Sequence, residues 1–234
     1  MAPSPADTPS WPAGPRGLRI SIATQSEREQ IYRIRHDVYA LELRQHDEAA
    51  SGRLTDPLDT FKEYIVASIG TLVVGFVSIT PPGHERYSID KYVARGELPF
   101  ELGDGVFEVR ILTVIEPLRG SPIAAILMYA ALRVVECRSG TRIVLIGRTE
   151  LVDVYRRVGM ELVGRTVRSG AVSFEVMSAT VEAARDRVAY YMSALRRLEP
   201  LLEWRLDVPF EPAPSSRTGD AAYALASGNS RGVA

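Results

Sequence analysis

The pattern of hydrophobic and polar positions in the first part of the chain predicts a strand followed by a helix. Residues 17–23 alternate apolar and polar side chains, which is typical of a half-buried strand. Apolar side chains then recur at helical spacing over residues 27–43. Thr24 or Ser26 is expected to cap this helix, and Glu29, three residues after Ser26, completes a capping-box pattern.

The elements that follow are predicted to be strands. Residues 63–69 and 71–79 are rich in β-branched and apolar side chains, and Gly70 between them suits a tight turn. Residues 106–115 form a longer run of the same kind, which predicts a central strand. Pro117 is expected to end that strand, because proline cannot donate to a ladder of backbone hydrogen bonds.

The second half of the chain continues the alternation of helices and strands. Pro122 suits the first position of a helix that is expected to extend to about Cys137. The further predicted elements are a strand over 141–147, a helix over 150–158, two hairpin strands over 161–166 and 172–177, and a last helix over 180–204. This order predicts an α/β fold, with a mixed sheet and helices on both of its faces.

Composition adds two tails to this picture. The 234 residues are 46% hydrophobic and 24% charged, which is typical of a globular protein. Residues 1–17 are rich in proline and predict a disordered leader, whereas residues 209–234 are rich in Ala, Ser, Gly and Pro and predict a flexible tail. We therefore expect one domain over 18–178, with a C-terminal helix over 179–208 packed on its core.

Charge and cysteine content exclude several classes of function. The formal net charge is −1, so no overall charge favours nucleic acid or an anionic membrane as a partner. No apolar run has the roughly 20 residues of a membrane span. Cys137 is the only cysteine and the three histidines are scattered, so neither a disulfide nor a metal site is expected. The reducing cytoplasm is the expected location.

Two motifs between residues 106 and 160 carry a resemblance to a known family. They are Leu112-x-Val114-x-x-Pro117-x-Arg119-Gly120 and, after a predicted helix and strand, Val154-Tyr155-x-x-x-Gly159-Met160. In this order and spacing they resemble the GNAT superfamily of N-acyltransferases, over about residues 18–178. The resemblance implies a GNAT-like, largely antiparallel sheet, and transfer of an acyl group from a pantetheine thioester to the amine of a small molecule.

The turn before the second predicted helix suggests how the donor is held. A helix N-terminus presents free N–H groups and a partial positive charge, which suit a phosphate. The family pattern there is Arg-Gly-x-Gly-x-Gly/Ala, and residues 119–124 are Arg-Gly-Ser-Pro-Ile-Ala. The resemblance implies that the donor is held by Leu112, Val114, Arg119, Gly120, Ser121 and Ala124.

Pro122 stands where the family has its second glycine and bears on the identity of the donor. No tightly bound cofactor is expected; the co-substrate is acyl-phosphopantetheine on a carrier protein, or acyl-CoA. Because proline lacks an N–H, one phosphate ligand is missing. This favours the acyl-carrier protein, which offers a single phosphodiester, over CoA with its diphosphate and further phosphate. The alternative is that Pro122 only starts the helix.

The resemblance assigns the chemistry to two side chains. Glu108, on the central strand, matches the general base that takes a proton from the amine. Tyr155, four residues before Gly159, matches the acid that protonates the leaving thiolate. Backbone N–H groups around Val114 would polarise the thioester carbonyl. The alternative for Glu108 is a strand carboxylate paired with Arg110, and the alternative for Tyr155 is a tyrosine of the core.

A second, fainter resemblance concerns the acceptor. Acyl-homoserine-lactone synthases and long-chain N-acyl amino acid synthases are GNAT relatives with an Arg and an aromatic residue on the first helix, and Asp-x-x-Asp in the next loop. They also carry arginines where this chain has Ser78 and Ile111, which disfavours homoserine lactone synthesis. A relative that acylates another amine in secondary metabolism is therefore expected. The implied acceptor-binding residues are Arg35, Tyr39, Asp56, Asp59 and Arg110.

Several alternatives stay open on the sequence alone. The chain is an enzyme, or a non-catalytic GNAT-like binding module. As an enzyme it is an N-acyltransferase that favours acyl-carrier protein, or an acyl-CoA-dependent acetyltransferase, and the acyl length is not indicated. Asp56 and Asp59 bind a cationic amine, or are solvated carboxylates or a helix cap. Four apolar residues either line an acyl pocket or belong to the core, namely Phe76, Ile79, Ile126 and Tyr129.

Overall fold

The computed structural model describes residues 17–211. It contains eight strands: β1 Leu18–Ile22, β2 Glu63–Ile69, β3 Leu72–Thr80, β4 Val106–Val114, β5 Arg142–Arg148, β6 Glu161–Ser169, β7 Val172–Thr180 and β8 Leu202–Trp204. The helices are α1 Gln25–Arg35, α2 Ile123–Cys137, α3 Val152–Arg157, α4 Val181–Ala189 and α5 Met192–Leu198, with a π-helix over His36–Glu42 directly after α1. The predicted leader over 1–17 and tail over 209–234 lie almost entirely outside the described residues.

All eight strands form one sheet, in the order β6-β7-β5-β4-β3-β2-β1-β8. Five neighbouring pairs are antiparallel, whereas β4–β5 and β1–β8 are parallel. Helix α2 packs on one face through an apolar cluster that includes Ile123, Leu127 and Val135. Helix α1 packs on the other face through a second cluster around Ile31 and Phe76. The predicted fold class is confirmed.

Strand β4 parts from β5 after residue 108 and, a few residues later, bulges where it pairs with β3. It pairs with β5 only over residues 106–108, and the two strands then diverge. On the other side Phe76 of β3 pairs with Thr113 but Ser78 pairs with Arg110, so an extra residue of β4 bulges. Ile111 at this bulge has φ +48°, a backbone conformation that costs energy for a β-branched residue. Such strain is typical of functional positions.

The first helix confirms one of its two predicted caps but ends differently from the prediction. Thr24 is the N-cap and forms a capping box with Glu27, so Ser26 and Glu29 do not fill these roles. The predicted helix over 27–43 is α-helical only to Arg35 and then widens into the π-helix. The apolar spacing does not distinguish these two, because a single turn of π-helix shifts the register by one residue within an otherwise helical pattern.

The prediction of one last helix over 180–204 is wrong. The chain forms α4, a break at residues 190–191, and α5, and it then passes through a 3₁₀ turn at Glu199–Leu201 into β8. Pro200 lies in that turn, and proline removes the N–H that a continuing helix needs. Strand β8 pairs in parallel with β1, so the segment after the helices completes the sheet at its far edge.

Candidate functional site

A cavity of about 820 Å³ lies between α2 and the diverging strands β4 and β5. Its size falls within the roughly 300–1,000 Å³ of sites that bind small molecules. Helix α3 borders it on one side, and α4 and α5 lie over its far part. Its lining is mainly apolar and includes Val109, Leu112, Ala124, Met128, Leu132, Leu145, Val158, Val188 and Leu195.

The turn from β4 into α2 forms one edge of this cavity. Gly120 has φ +80°, which only glycine adopts readily, and it reverses the chain toward the helix. Pro122 is the N-cap residue of α2, one position before the first helical position predicted for it, and its carbonyl accepts the N–H of Ile126 at 2.9 Å. The side chain of Ser121 accepts the N–H of Ile123 at 3.4 Å. Other N–H groups of the first turn have no acceptor within the helix, so this end keeps its partial positive charge.

Four of the six predicted donor-binding residues line the cavity: Leu112, Gly120, Ser121 and Ala124. Arg119 does not. Its guanidinium donates two hydrogen bonds to the carboxylate of Glu42, at 2.7 and 2.6 Å, and its Nε donates to the carbonyl of Val114 at 3.2 Å. The side chain of Val114 packs against the core. Arg119 therefore ties the turn to the π-helix, and its charge is already neutralised.

Tyr155 enters the cavity from α3. Its ring lies so close to Gly147 in β5 that a Cβ added there would stand 2.5 Å from Cε2 of the ring. Burial raises the pKa of Tyr155 to about 12, with a further rise from Tyr39. The phenol therefore keeps its proton at neutral pH, as an acid must.

Glu108 is not brought to the cavity. Its neighbours on β4, Phe107 and Val109, face α2, so strand alternation directs Glu108 to the opposite face. The carboxylate is 1% exposed and accepts the backbone N–H groups of Ser88 at 2.9 Å and of Ile89 at 2.7 Å. Both oxygens are thus occupied by the segment that covers this face, a contact that the sequence pattern did not indicate.

Tyr39 lies in the π-helix and reaches the bulge of β4. Its hydroxyl and that of Thr113 are 2.8 Å apart, and Thr113 in turn donates to the carbonyl of Ile111 at 3.1 Å. Burial raises the pKa of Tyr39, although Arg35 and other arginines oppose the rise. The π-helix therefore places an uncharged hydroxyl group next to the strained residue.

Arg35 and Asp59 form hydrogen bonds with each other and do not face an open ligand site. Arg35 donates to the two carboxylate oxygens of Asp59 at 3.0 and 2.8 Å. Asp59 also accepts from the hydroxyl of Tyr64 at 2.8 Å and lies 3.4 Å from the ammonium group of Lys62. All of these side chains are buried. Burial lowers the pKa of Lys62, and Asp56 and Asp59 partly counter this. The cluster is internally neutralised.

Asp56 is the N-cap of a 3₁₀ turn at Pro57–Thr60, as one alternative proposed. Its carboxylate forms a salt bridge with Lys91 at 2.5 Å and accepts the N–H of Leu58 at 2.8 Å. Burial alone raises the pKa of this group, but these two hydrogen bonds and Lys62 lower it to about 2. Asp56 is therefore ionised and already holds cationic partners.

The partly buried Arg110 and Arg148 differ from the buried arginines Arg35 and Arg133. Among residues 17–211, neither side chain forms a salt bridge or a hydrogen bond. Arg110 borders the cavity, its guanidinium stands 5.7 Å from the ring centre of Tyr92, and its Nε is buried without a partner. Arg148 ends β5, and its charge acts on the hydroxyl groups of Tyr39 and Tyr155. Arg148 was not predicted; its position at the end of a strand was the available signal.

The predicted acyl-pocket residues divide into two groups. Tyr129 borders the cavity, whereas Phe76, Ile79 and Ile126 are core residues that do not. Another wall comes instead from α4, α5 and the break between them. Its side chains belong to an apolar stripe that the sequence predicts as one face of a helix packed on the core: Ala184, Val188, Tyr191 and Leu195. No helix among residues 17–211 is both long and apolar enough to cross a membrane.

No protein-family model and no curated protein matches this chain. Solved structures do. A CoA-dependent acyl-homoserine lactone synthase, BjaI, with SAM and isopentyl-CoA, is similar with TM-score 0.67 at 18% identity, covering 82% of this chain and 95% of that one. FeeM, an N-acyl amino acid synthase from uncultured soil microbes, has TM-score 0.59 at 17% identity and covers 76% and 98%.

A third similar structure is MesI, another CoA-dependent acyl-homoserine lactone synthase. Its TM-score is 0.59 at 20% identity, with 74% of this chain and 95% of that one covered. Each of the three is covered almost completely, so the shared fold spans whole proteins. At these identities the similarity establishes the fold, and the predicted GNAT-like fold is thereby confirmed.

Proposed function

We propose that this protein is an N-acyltransferase that moves an acyl group from a pantetheine thioester to the amine of a small molecule. The observation that carries the proposal is the cavity: it starts at the N-terminus of α2, passes Tyr155, and continues as an apolar space behind the diverging strands. The acyl-transferring synthases of the same fold support this function. The cavity also offers, in the order that a thioester needs, a helix end for a phosphate, the acid Tyr155 and an apolar space for the acyl chain.

The reaction that fits this order is direct attack. The uncharged amine nitrogen forms a bond to the thioester carbon, and the carbon–sulfur bond then breaks. Tyr155 gives its proton to the leaving thiolate, and the proton lost from the amine restores the phenol through solvent. The phenol suits this role because burial keeps its pKa at about 12, so it is protonated whenever the thiolate leaves.

The first acceptor of the amine proton is proposed to be water. Glu108, predicted as the base, is 1% exposed, its two oxygens accept backbone N–H groups on the other face of the sheet, and it does not border the cavity. A carboxylate in this position supports catalysis by holding the covering segment in place. Replacement of Glu108 separates the two roles, since a base is needed in every turnover and an anchor only for stability.

The donor is proposed to be an acyl-carrier protein. The cradle at α2 lacks an N–H at Pro122, and the predicted phosphate ligand Arg119 is already paired with Glu42. Both features weaken binding of a diphosphate more than that of one phosphodiester. The alternative donor is acyl-CoA, which the similar structures BjaI and MesI favour as CoA-dependent synthases.

The acceptor is proposed to carry an anionic group beside its amine. Asp56 and Asp59, predicted to bind a cation, already hold Lys91 and Arg35. Arg110 at the cavity edge has no partner among the described residues, and a guanidinium binds a carboxylate in a two-bond geometry. An α-amino acid, or a similar compound, satisfies both requirements.

Transfer from paired donors tests the proposal. The purified protein is incubated with acyl-carrier protein or CoA loaded with acetyl, octanoyl or dodecanoyl groups, together with a pool of amino acids, and thiol release and N-acyl products are measured. We expect thiol release that depends on the amine, with the long-chain carrier protein as the best donor. Turnover with acetyl-CoA alone would identify an acetyltransferase, and no consumption of any thioester would favour the binding module.

A further inference from the structure

The segment after α4 both seals the cavity and is firmly attached to the protein. We define the C-terminal strap as residues 192–211, which comprise α5, the 3₁₀ turn, β8 and the last described residues. Leu195 in α5 is 3% exposed and borders the cavity. The strap therefore supplies part of the cavity wall, and it contacts α2 at Tyr129 and Arg133, eight and twelve residues beyond Ser121.

Three aromatic rings hold the strap against α2. Tyr129, on α2, meets Phe210 edge to face with ring centres 5.1 Å apart, and Trp204 meets Phe210 at 5.0 Å. The hydroxyl of Tyr129 donates to the carbonyl of Phe210, and the indole of Trp204 donates to that of Val208 at 2.8 Å. Leu195 packs into the same cluster, so one set of contacts fixes both the strap and the cavity wall.

Polar contacts fix the ends of the strap as well. Arg133, buried on α2, donates to the carbonyl groups of Pro209 at 3.2 Å and Glu211 at 3.4 Å. Arg196 donates two hydrogen bonds to the carboxylate of Glu211, at 2.5 and 3.0 Å. Because β8 also pairs with β1, the strap cannot shift outward to admit a longer ligand without breaking several contacts at once.

The length of the cavity along α2 indicates what this wall controls. The lining includes Ser121 at the start of α2 and Leu132 near its end, which are eleven residues apart and span about 17 Å at 1.5 Å per residue. A ligand that enters at Ser121 therefore meets the strap only with its distal part. In the proposed reaction that part is the end of the acyl chain.

We propose that the C-terminal strap sets the acyl-chain length, and that Leu195 is the residue that determines it. This inference rests on the proposed function, since it concerns the far end of the same cavity. Shortening Leu195 lengthens the cavity at its closed end and favours longer chains. Enlarging it shortens the cavity and favours shorter ones. Neither change touches the residues near the thioester.

Binding of donor analogues of graded length tests this directly. The probes are acyl-pantetheine ketones, in which a methylene replaces the sulfur, with hexanoyl, decanoyl and tetradecanoyl chains, and binding is measured by calorimetry. We expect Leu195→Ala to raise the affinity ratio of tetradecanoyl to hexanoyl probes by roughly 10-fold or more, and Leu195→Phe to lower it by a similar factor. Leu195→Val gives the same test with a smaller packing change.

Leu198→Ala is the matched control, because Leu198 lies one turn further on α5 and is buried in the core without bordering the cavity. It should leave the affinity ratio within about twofold of the wild-type value. An unchanged ratio in both Leu195 variants, or an equal change in Leu198→Ala, overturns the role of the strap. If the wild-type protein binds no probe of any length, the proposed function fails and this inference with it.

Discussion

The two faces of the sheet differ in free space and in buried charge. The face under α2 has space but almost no charge, since its cavity is bordered mainly by apolar side chains. The face under α1 and residues 84–103 has buried charge but is filled by it: Arg35, Asp59, Lys62 and Glu108 are each at most 6% exposed. The difference is that one face offers apolar space whereas the other offers buried charge that is already paired, and the sheet separates the two.

Side chains from both faces come together at the bulge of β4. Ile111 adopts its strained backbone there, and Tyr39, Arg110 and Tyr155 converge on that region from the π-helix, β4 and α3. A reaction between a charged acceptor and an apolar donor is therefore expected at the bulge, and mutations on each face should fail in different ways.

The largest effect is expected from breaking the charged face. Arg35→Met leaves Asp59 buried without its main partner, and we expect a loss of about 3–5 kcal/mol in the free energy of unfolding, measured by urea denaturation. Arg110→Met, on strand β4, is the matched control. Its guanidinium has no partner in residues 17–211, so its replacement should change stability by less than about 0.5 kcal/mol while weakening acceptor binding.

A folded Arg35→Met variant of normal stability with a raised KM for the amine would contradict this view. It would return Arg35 to the acceptor-binding role that the sequence predicts.

The next effect concerns the acid at the meeting point. Tyr155→Phe removes only the hydroxyl, and we expect kcat to fall about 100-fold with little change in stability. Because burial holds the pKa of Tyr155 at about 12, the phenol is the acid form below that pH and loses its proton only above it. The wild-type rate should therefore show no decline from this group up to about pH 10.

Tyr190→Phe serves as the control for that variant, since Tyr190 is 54% exposed and does not border the cavity. A rate for Tyr155→Phe within threefold of the wild-type rate, or equal losses in both variants, would remove Tyr155 from the chemistry.

Glu108 gives the third test and separates an anchor from a base. Glu108→Gln turns one acceptor oxygen into an NH₂ group that faces a backbone N–H of Ser88 or Ile89, which should cost about 1–3 kcal/mol of stability. Transfer by the folded fraction should fall less than tenfold. Unchanged thermal stability together with a loss of more than 100-fold in kcat would instead establish the carboxylate as the base.

The fold was predictable because its signals are local. Residues 63–69 and 106–115 read as strands from their β-branched runs, and Pro122 marks the start of α2 through its missing N–H. The last helix was not, because the stripe from Val181 to Leu198 continues across a break at residues 190–191. Apolar spacing reports which side chains are buried, not where the backbone turns.

Site residues were predictable where their place in a helix, strand or turn is enough to bring them to the cavity. They were not predictable where a partner distant in sequence decides what they contact. Gly120, Ser121 and Tyr155 were found from motif spacing and do border the cavity. Arg119 and Asp59 were found by the same reasoning, but Glu42 and Arg35 neutralise them, and these contacts join residues 77 and 24 positions apart. No local pattern encodes such pairs.

The smallest effect is expected from a change that touches the chemistry only through packing. Gly147→Ala adds a Cβ that would stand 2.5 Å from the ring of Tyr155, so the ring must shift, and we expect kcat to fall about tenfold. Gly103→Ala is the control, because a Cβ there meets nothing within 4 Å and the residue has no positive φ. Since both variants of this site act through one hydroxyl, Gly147→Ala should add little to the loss caused by Tyr155→Phe. If the two losses are fully additive, Gly147 does not act through the hydroxyl of Tyr155.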